Sequence, residues 1–223
     1  MPVITNSQLY TPAPTSLDII FGNNLVQPAY DGMMDFYWEY NYAIIFLTAS
    51  QLSSVPNGAV INKLNFEIDN TGTGIYDENN IQIFMATAPA TRTELPSNLR
   101  INLTSGTDTA WNAEVSPVQI TSSVNTTYQQ QSGDPQRNWL PEVTLPTTFT
   151  YTAGTNLIIS MNSKSGTYTP GSSANPKWVG KTLTGTQPKI FCSAYRYTGG
   201  AYPATTFVNY NSTFRPNIRL NWN

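Results

Sequence analysis

The 223-residue sequence contains no histidine and a single cysteine, Cys192. Histidine is the commonest general base near neutral pH and a usual ligand of zinc and copper. One cysteine can form neither an internal disulfide nor a cluster of thiolate ligands. We therefore expect no redox or transition-metal chemistry and no bound cofactor.

Charge and long apolar runs are also scarce. Charged residues make up 11% of the chain and the net charge is -2, so nothing predicts binding to nucleic acid or to an anionic membrane. No run approaches the roughly 18 to 20 apolar residues of a membrane span. Residues 1–5 lack the basic and apolar regions of a secretion signal. We expect a soluble chain, either made without such a signal or beginning at Met1 as the processed form of a secreted protein.

What the sequence does contain is alternation of apolar and polar residues, the pattern of half-buried strands. It is clearest over residues 60–85, where it predicts a strand pair joined by the turn-rich residues 70–74. The apolar residues that share the buried face are Leu64, Phe66, Ile68, Ile81, Ile83 and Met85.

Other strands are predicted along the rest of the chain, and no helix of ten residues is expected. Residues 43–47 form a continuous apolar run, typical of a buried strand or the flank of a bend, and residues 48–52 suggest a single helical turn. Pro141 and Pro146 predict a broken or edge strand, and polar residues 125–138 predict an exposed loop. A short apolar run marks a strand at residues 17–21, and alternation marks further strands at residues 116–121, 157–161, 189–197 and 217–222. The residues that alternation places together on one face of the strands at 157–161 and 217–222 are Leu157, Ile159 and Met161, and Ile218, Leu220 and Trp222.

This pattern predicts an all-β fold, a two-sheet antiparallel β-sandwich of jelly-roll type, formed as one domain by residues 16–223. Residues 1–15 carry three prolines and little periodicity, and we interpret them as an extended N-terminal arm. Such an arm orders when it is laid on another subunit. The side chains expected to be covered in that assembly are Val3, Ile4, Leu9 and Tyr10.

Carboxylates are grouped in two places, but neither group predicts catalysis. Asp31, Asp35 and Glu39 are close in sequence, as are Asp77 and Glu78, yet no second signal accompanies them. We expect no enzyme. Asp69, Asp77, Glu78 and Asn79 offer oxygen ligands around one loop and are candidates for calcium, although they lack the spacing of a dedicated calcium loop. Turn capping is the simpler explanation.

Exposed aromatic side chains form a third class of candidate site. Tyrosine and tryptophan rings stack on sugars and anchor protein interfaces. The candidates for such binding, about half of which we expect in the core or its rim, are Tyr168, Trp178, Tyr195, Tyr197 and Tyr202.

A series of short segments resembles a β-sandwich module that recurs in large secreted surface proteins of Bacteroidetes. The resemblance covers residues 17–223, and its order and spacing are more specific than any single piece. It implies a jelly-roll fold and an adhesive or structural role without catalytic residues. The matching segments are residues 17–23 (LDIIFGN), 36–42 (FYWEYNY), 48–52 (TASQL), 61–66 (INKLNF), 80–86 (NIQIFMA), 148–151 (TFTY), 156–159 (NLII) and 215–220 (RPNIRL).

A phage that infects such bacteria can carry this module, which reconciles a surface-type composition with the missing secretion signal. We therefore expect a structural protein of a bacteriophage virion, either a capsid auxiliary (decoration) protein or a fibre or tail component. Its expected partners are other virion proteins, further copies of itself and a host-surface glycan. The alternative is a secreted bacterial adhesin or a carbohydrate-binding module.

Overall fold

A computed structural model describes residues 15–26, 40–69, 75–94, 100–101, 118–129, 137–163, 177–182, 191–196, 207–208 and 214–223. Every regular element in these ranges is a β-strand. Within them, no helix is long and apolar enough to cross a membrane. The prediction of an all-β protein is confirmed for this part of the chain.

The strands are β1 (Ser16–Ile19), β2 (Asn24–Val26), β3 (Tyr40–Leu47), β4 (Val60–Asp69), β5 (Ile75–Ala88), β6 (Arg100–Ile101), β7 (Val118–Gln129), β8 (Arg137–Thr150), β9 (Asn156–Ser163), β10 (Lys177–Thr182), β11 (Phe191–Arg196), β12 (Phe207–Val208), β13 (Phe214–Pro216) and β14 (Ile218–Trp222). Sheet A has the order β1-β14-β4-β10-β13, with β2 paired to β10 and β8 paired to β4. Sheet B has the order β11-β3-β9-β5-β7, and β6 pairs with β12. All these pairs are antiparallel.

The two large sheets share one hydrophobic core. In sheet A, Leu17, Leu220, Leu64 and Val143 lie opposite one another across four adjacent strands. In sheet B, the inward row is Ile45, Ile159 and Met85. Phe66 and Trp178 join edge to face in the same core, with ring centroids 5.8 Å apart. The faces assigned to β4, β5, β9 and β14 from the alternation of the sequence are confirmed.

The predicted strand pair within residues 60–85 is wrong. Both strands exist, but β4 lies in sheet A and β5 in sheet B, so they contribute to the core from different sheets. Alternation fixes which face of a strand is buried and carries no information about which strand lies beside it. A short turn-rich connection serves a change of sheet as well as a hairpin.

The apolar run at residues 43–47 forms part of β3, and all five residues are fully buried. Ala43, Ile45 and Leu47 face the shared core. Ile44 and Phe46 point to the other face of sheet B and are also excluded from solvent. A strand buried on both faces has no polar positions to alternate with. The prediction of a buried strand here is confirmed.

The two prolines of β8 occur where its pairing with β4 is irregular. One register shift lies between the pairs Asn65–Glu142 and Glu67–Trp139, and it includes Pro141. The other lies between the pairs Ile61–Phe149 and Lys63–Thr144, and it includes Pro146. Proline cannot donate a ladder hydrogen bond, so it is tolerated at such bulges. The prediction of a broken strand is confirmed.

Two local predictions near turns have opposite outcomes. Residues 48–52 make a single helical turn, in which Leu52 N donates to Thr48 O at 3.2 Å, as predicted. The predicted loop at 125–138 is wrong at both ends, because β7 continues to Gln129 and β8 begins at Arg137. β7 ends the strand order of sheet B in the described chain, and polar residues are compatible with such a position.

Candidate functional site

The side chain of Asn217, which lies between β13 and β14, is polar and completely buried. Its Oδ1 accepts hydrogen bonds from Phe21 N at 2.7 Å and Gly22 N at 3.3 Å. Its Nδ2 donates to Gly22 O at 2.9 Å and to Glu67 Oε2 at 2.6 Å. The amide therefore uses its full hydrogen-bonding capacity.

The main chain of Asn217 makes two further connections. Its N donates to Val179 O at 2.9 Å, and its O accepts from Glu67 N at 3.3 Å. One residue thus links β4, β10 and β14 to the connection between β1 and β2. A buried polar network that is fully satisfied rigidifies the structure around it.

Two glycines allow these segments to approach closely. A Cβ at Gly22 would lie 2.8 Å from Gly180 O, and a Cβ at Gly180 would overlap the carbonyl group of Arg215. Neither position has room for a side chain. The connection between β1 and β2 is therefore packed directly on the main chain of sheet A.

The rest of this connection is also held by polar side chains. Arg137 donates from Nη1 to Asn23 Oδ1 at 3.2 Å and from Nη2 to Asn23 O at 3.3 Å. Asn24 Oδ1 accepts from Thr182 N at 3.0 Å. Residues 21–24 are thus fixed at every position. We name residues 20–25 the edge segment, since among the described strands β1 pairs with β14 alone and β2 pairs with β10 alone.

The edge segment carries two large apolar side chains in solvent. Ile20 is 55% exposed and Leu25 is 43% exposed, and they are the exposed large hydrophobic residues of the described chain. An isolated exposed aliphatic residue needs no explanation, but two on a rigid edge are typical of a contact surface.

Arg215 adds an incompletely solvated cation beside this surface. Its Cζ lies 4.3 Å from the centroid of the Phe21 ring, a cation–π contact. Its Nε is buried and finds no hydrogen-bond acceptor in the described part of the chain. Burial lowers the pKa of Arg215 to about 10. The Arg215 guanidinium is thus partly desolvated beside the Phe21 ring.

A second candidate site is a cleft at one end of sheet B, where β3 and β5 end and β9 begins. Asn156 is 1% exposed and joins the cleft walls. Its Oδ1 accepts from Ala49 N at 2.8 Å, while its Nδ2 donates to Pro89 O at 2.7 Å and to Arg92 O at 2.8 Å. The turns at 48–50 and 89–92 are held together by this one side chain.

The cleft has a volume of about 400 Å³. A neighbouring cavity of about 340 Å³ shares Arg92 and Thr93 with it and extends to Glu94. Hydroxyl groups, one guanidinium and small apolar groups converge here, a combination that suits a small polar ligand. The residues that line the larger cavity are Thr48, Ala49, Ser50, Ala90, Arg92, Thr93 and Asn156.

Trp178 is not a surface ring, which corrects its selection as a binding residue. It is 1% exposed and contacts Phe66 in the core. The exposed-aromatic prediction for this residue is wrong because β10 is an interior strand that pairs with β2, β4 and β13. Tyr195 belongs to β11. The predictions for Tyr168, Tyr197 and Tyr202 fall outside the described residues, as do those for Val3, Ile4, Leu9 and Tyr10.

The loop that the calcium prediction places between Asp69 and Asp77 includes residues 70–74, which lie outside the described residues. Asp69 is the last residue of β4, and its Oδ2 lies 3.6 Å from Arg137 Nε, so its charge is already compensated. Asp77, Glu78 and Asn79 lie within β5. Asp77 pairs with Thr127 of β7, and Glu78 pairs with Thr126. No group of three acidic or thiol side chains suitable for a metal occurs among the described residues. Asp31, Asp35 and Glu39 lie outside those residues.

Three residues of interest were not selected from the sequence. Ile20 is the one with a usable signal, since a strand over residues 17–21 places it on the same face as Asp18. Trp139 is a half-buried ring with the Arg219 Cζ 4.5 Å above it. Arg219 also donates to Asp18 Oδ1 at 2.5 Å and Oδ2 at 2.8 Å, and this pairing raises the pKa of Arg219. Asn217 has no signal in a chain rich in asparagine.

No protein-family model matches the chain, and neither a curated protein nor a solved structure with significant similarity was found.

Proposed function

We propose that this protein is a non-enzymatic structural protein that acts through protein–protein contacts in a phage virion, and that the edge segment is its contact surface. The observation that carries this proposal is the pair of exposed side chains, Ile20 and Leu25, on a main chain fixed by Asn217 and Arg137. A rigid surface loses little conformational entropy on binding. Apolar side chains held in this way are suited to a permanent contact.

The proposed occupant is the N-terminal arm of a second copy. The arm joins the domain at Thr15, whose O accepts from Trp222 N at 2.9 Å, so it leaves the domain at the same edge. Residues 3–11 contain neither proline nor a charged residue and can donate every main-chain hydrogen bond of an added strand. Val3, Ile4, Leu9 and Tyr10 match the apolar character of Ile20 and Leu25.

The placement in a virion and the jelly-roll topology belong to the same proposal. Along the chain, most consecutive strands of the two large sheets change sheet, as in β3, β4 and β5 and again in β8, β9, β10 and β11. Such alternation supports a jelly roll, a fold common in capsid proteins. The charge-poor composition, rich in threonine, serine and asparagine, supports a role outside a cell.

The test compares the full chain, a chain lacking residues 1–14 and the variant Ile20→Ser/Leu25→Ser by analytical ultracentrifugation. Burying an isoleucine or a leucine contributes about 1.5 to 3 kcal/mol, so we expect self-association to weaken at least about tenfold in both altered proteins. Their melting temperatures should stay close to that of the full chain. The matched control is Thr144→Ser/Thr148→Ser on the exposed side of β8, which should assemble normally. Equal assembly of the truncated chain contradicts the proposal.

The cleft at Asn156 favours a second function, the binding of an acidic sugar. The hydroxyl groups of Thr48, Ser50 and Thr93 suit a sugar's hydroxyls, and the guanidinium of Arg92 suits a carboxylate. Titration with glucuronate and with glucose, followed by NMR, tests this function. Binding of glucuronate that Arg92→Gln removes and Arg137→Gln leaves unchanged supports it, whereas no binding of either sugar rejects it.

A further inference from the structure

The turn that precedes β4 contains an asparagine followed by a glycine, Asn57–Gly58, the one such pair in the sequence. Both residues are exposed, and Gly58 has a φ of 79°. Asparagine is chemically labile, and a following glycine places no Cβ in the way of attack on its side chain. This pair is therefore the point at which the chain is most open to spontaneous modification.

The folded turn engages both groups that would react. Gly58 N donates to Tyr151 O at 2.9 Å. Asn57 Oδ1 accepts from Ala153 N at 3.1 Å. The turn is further held by Tyr151 N, which donates to Ala59 O at 2.9 Å. Attack requires Gly58 N to lose its proton and the Asn57 side chain to rotate, so both hydrogen bonds must first break.

We propose that Asn57 is a deamidation site whose reaction is held back by the fold and released when this turn opens. In the reaction, Gly58 N gives its proton to water and forms a bond to Asn57 Cγ, the Cγ–Nδ2 bond breaks, and Nδ2 takes up one proton from water and leaves as ammonia. Water then opens the cyclic imide at either carbonyl and yields aspartate or isoaspartate at position 57. Water is the one co-reactant, and no oxidant or reductant takes part.

Aspartate and isoaspartate at position 57 should affect the hydrogen bonds of the folded turn differently. An aspartate side chain still accepts from Ala153 N and adds a negative charge to that hydrogen bond. An isoaspartate inserts a methylene group into the main chain, which displaces Gly58 N from Tyr151 O. The bonds next in the chain, between Ala59 and Tyr151 and between Val60 and Asn223, depend on that register. Isoaspartate therefore loosens the start of β4, and aspartate does not.

The test follows deamidation at Asn57 by peptide mapping, as a mass increase of about one unit, in the native full chain, in urea-unfolded chain and in a synthetic peptide of residues 54–60. Because local opening must precede reaction, we expect the native chain to react at least about tenfold more slowly than the peptide. The unfolded chain should match the peptide. Asn57→Gln is the control, since its longer side chain forms the imide poorly.

Tyr151→Phe removes the hydrogen bond from Tyr151 Oη to Thr155 O, 2.7 Å long, and should raise the native rate towards that of the peptide. Asn57→Asp should melt at the same temperature as the unaltered protein. Equal rates in native chain and peptide overturn the protection by the fold. Absence of reaction at Asn57 in the unfolded chain overturns the site itself, and both comparisons hold even where Tyr151→Phe does not fold.

Discussion

Asn217 Nδ2 lies 2.6 Å from Glu67 Oε2, and the same nitrogen donates to Gly22 O. The contact joins residues 150 positions apart in the chain. Asn217 also fixes the edge segment, because its Oδ1 is the described acceptor for the main-chain N–H groups of Phe21 and Gly22. The surface proposed for assembly thus depends on one buried amide.

Replacing Asn217 by alanine should be among the most destabilising polar substitutions in this protein. Asn217→Ala leaves two main-chain donors and the Glu67 carboxylate without their partner, and we expect a loss of more than about 3 kcal/mol in the free energy of unfolding. Asn62→Ala, which removes an exposed hydrogen bond to Asn223, should cost less than about 0.5 kcal/mol. Urea denaturation measures both, and similar losses would show that Asn217 is not a structural hub.

Replacing Gly180 or Gly154 by alanine should destabilise the protein, for a different reason at each position. Gly180→Ala places a Cβ against the Arg215 carbonyl, where neither main chain can move freely, and we expect a loss of about 3 kcal/mol or more. Gly154 has a φ of 80° and open space around it, so Gly154→Ala should cost about 1 to 2 kcal/mol through backbone strain alone. Thermal melting of both variants decides the order, and a larger loss at Gly154 would contradict the packing described for β10 and β13.

The contact between Phe66 and Trp178 should make a measurable contribution to the core. Phe66→Ala is expected to cost about 3 to 5 kcal/mol, because the ring is fully buried. A double-mutant cycle with Trp178→Leu should give a coupling of about 0.5 to 1.5 kcal/mol for the edge-to-face pair. A loss below about 0.5 kcal/mol for Phe66→Ala would mean that the faces of β4 are reversed.

Tyr151 should make stability depend on alkaline pH. Burial raises its pKa above the ordinary value of 10.0, against the opposing effect of its hydrogen bond to Thr155. The folded state therefore favours the neutral phenol, and the resulting stabilisation is complete below pH 10 and is lost as the pH rises through the folded-state pKa. Unfolding free energies of the unaltered protein and of Tyr151→Phe, measured across that range, should converge as the pH rises. A constant difference would contradict this.

Burial could be predicted from the sequence for strands that have one face in the core and the other face in solvent. Leu64, Ile159 and Leu220 were assigned to the core from alternation alone, and they are buried. The pairing of strands was not recoverable, as β4 and β5 show, because neighbours in a sheet are chosen by contacts distant in sequence. Alternation is a local property, and sheet order is not.

The candidate site was harder to predict than the core. Trp178 was mistaken for a surface ring because β10 is short and follows a polar stretch, and its three neighbours come from distant parts of the chain. Asn217 and Asn156 became important through complete hydrogen bonding in the folded state, which composition does not reveal. Ile20 could have been found, since a strand over residues 17–21 places it on the same face as Asp18.

The most direct test of the assembly proposal is a photo-crosslinking residue placed at position 25, with the same residue at position 144 as the control. Irradiation of the assembled protein, followed by peptide mapping, identifies what lies against each position. We predict covalent dimers from position 25 that map to residues 1–14 of a second copy, and none from position 144. A protein that yields only uncrosslinked monomer from position 25, or crosslinks that map elsewhere, contradicts the account.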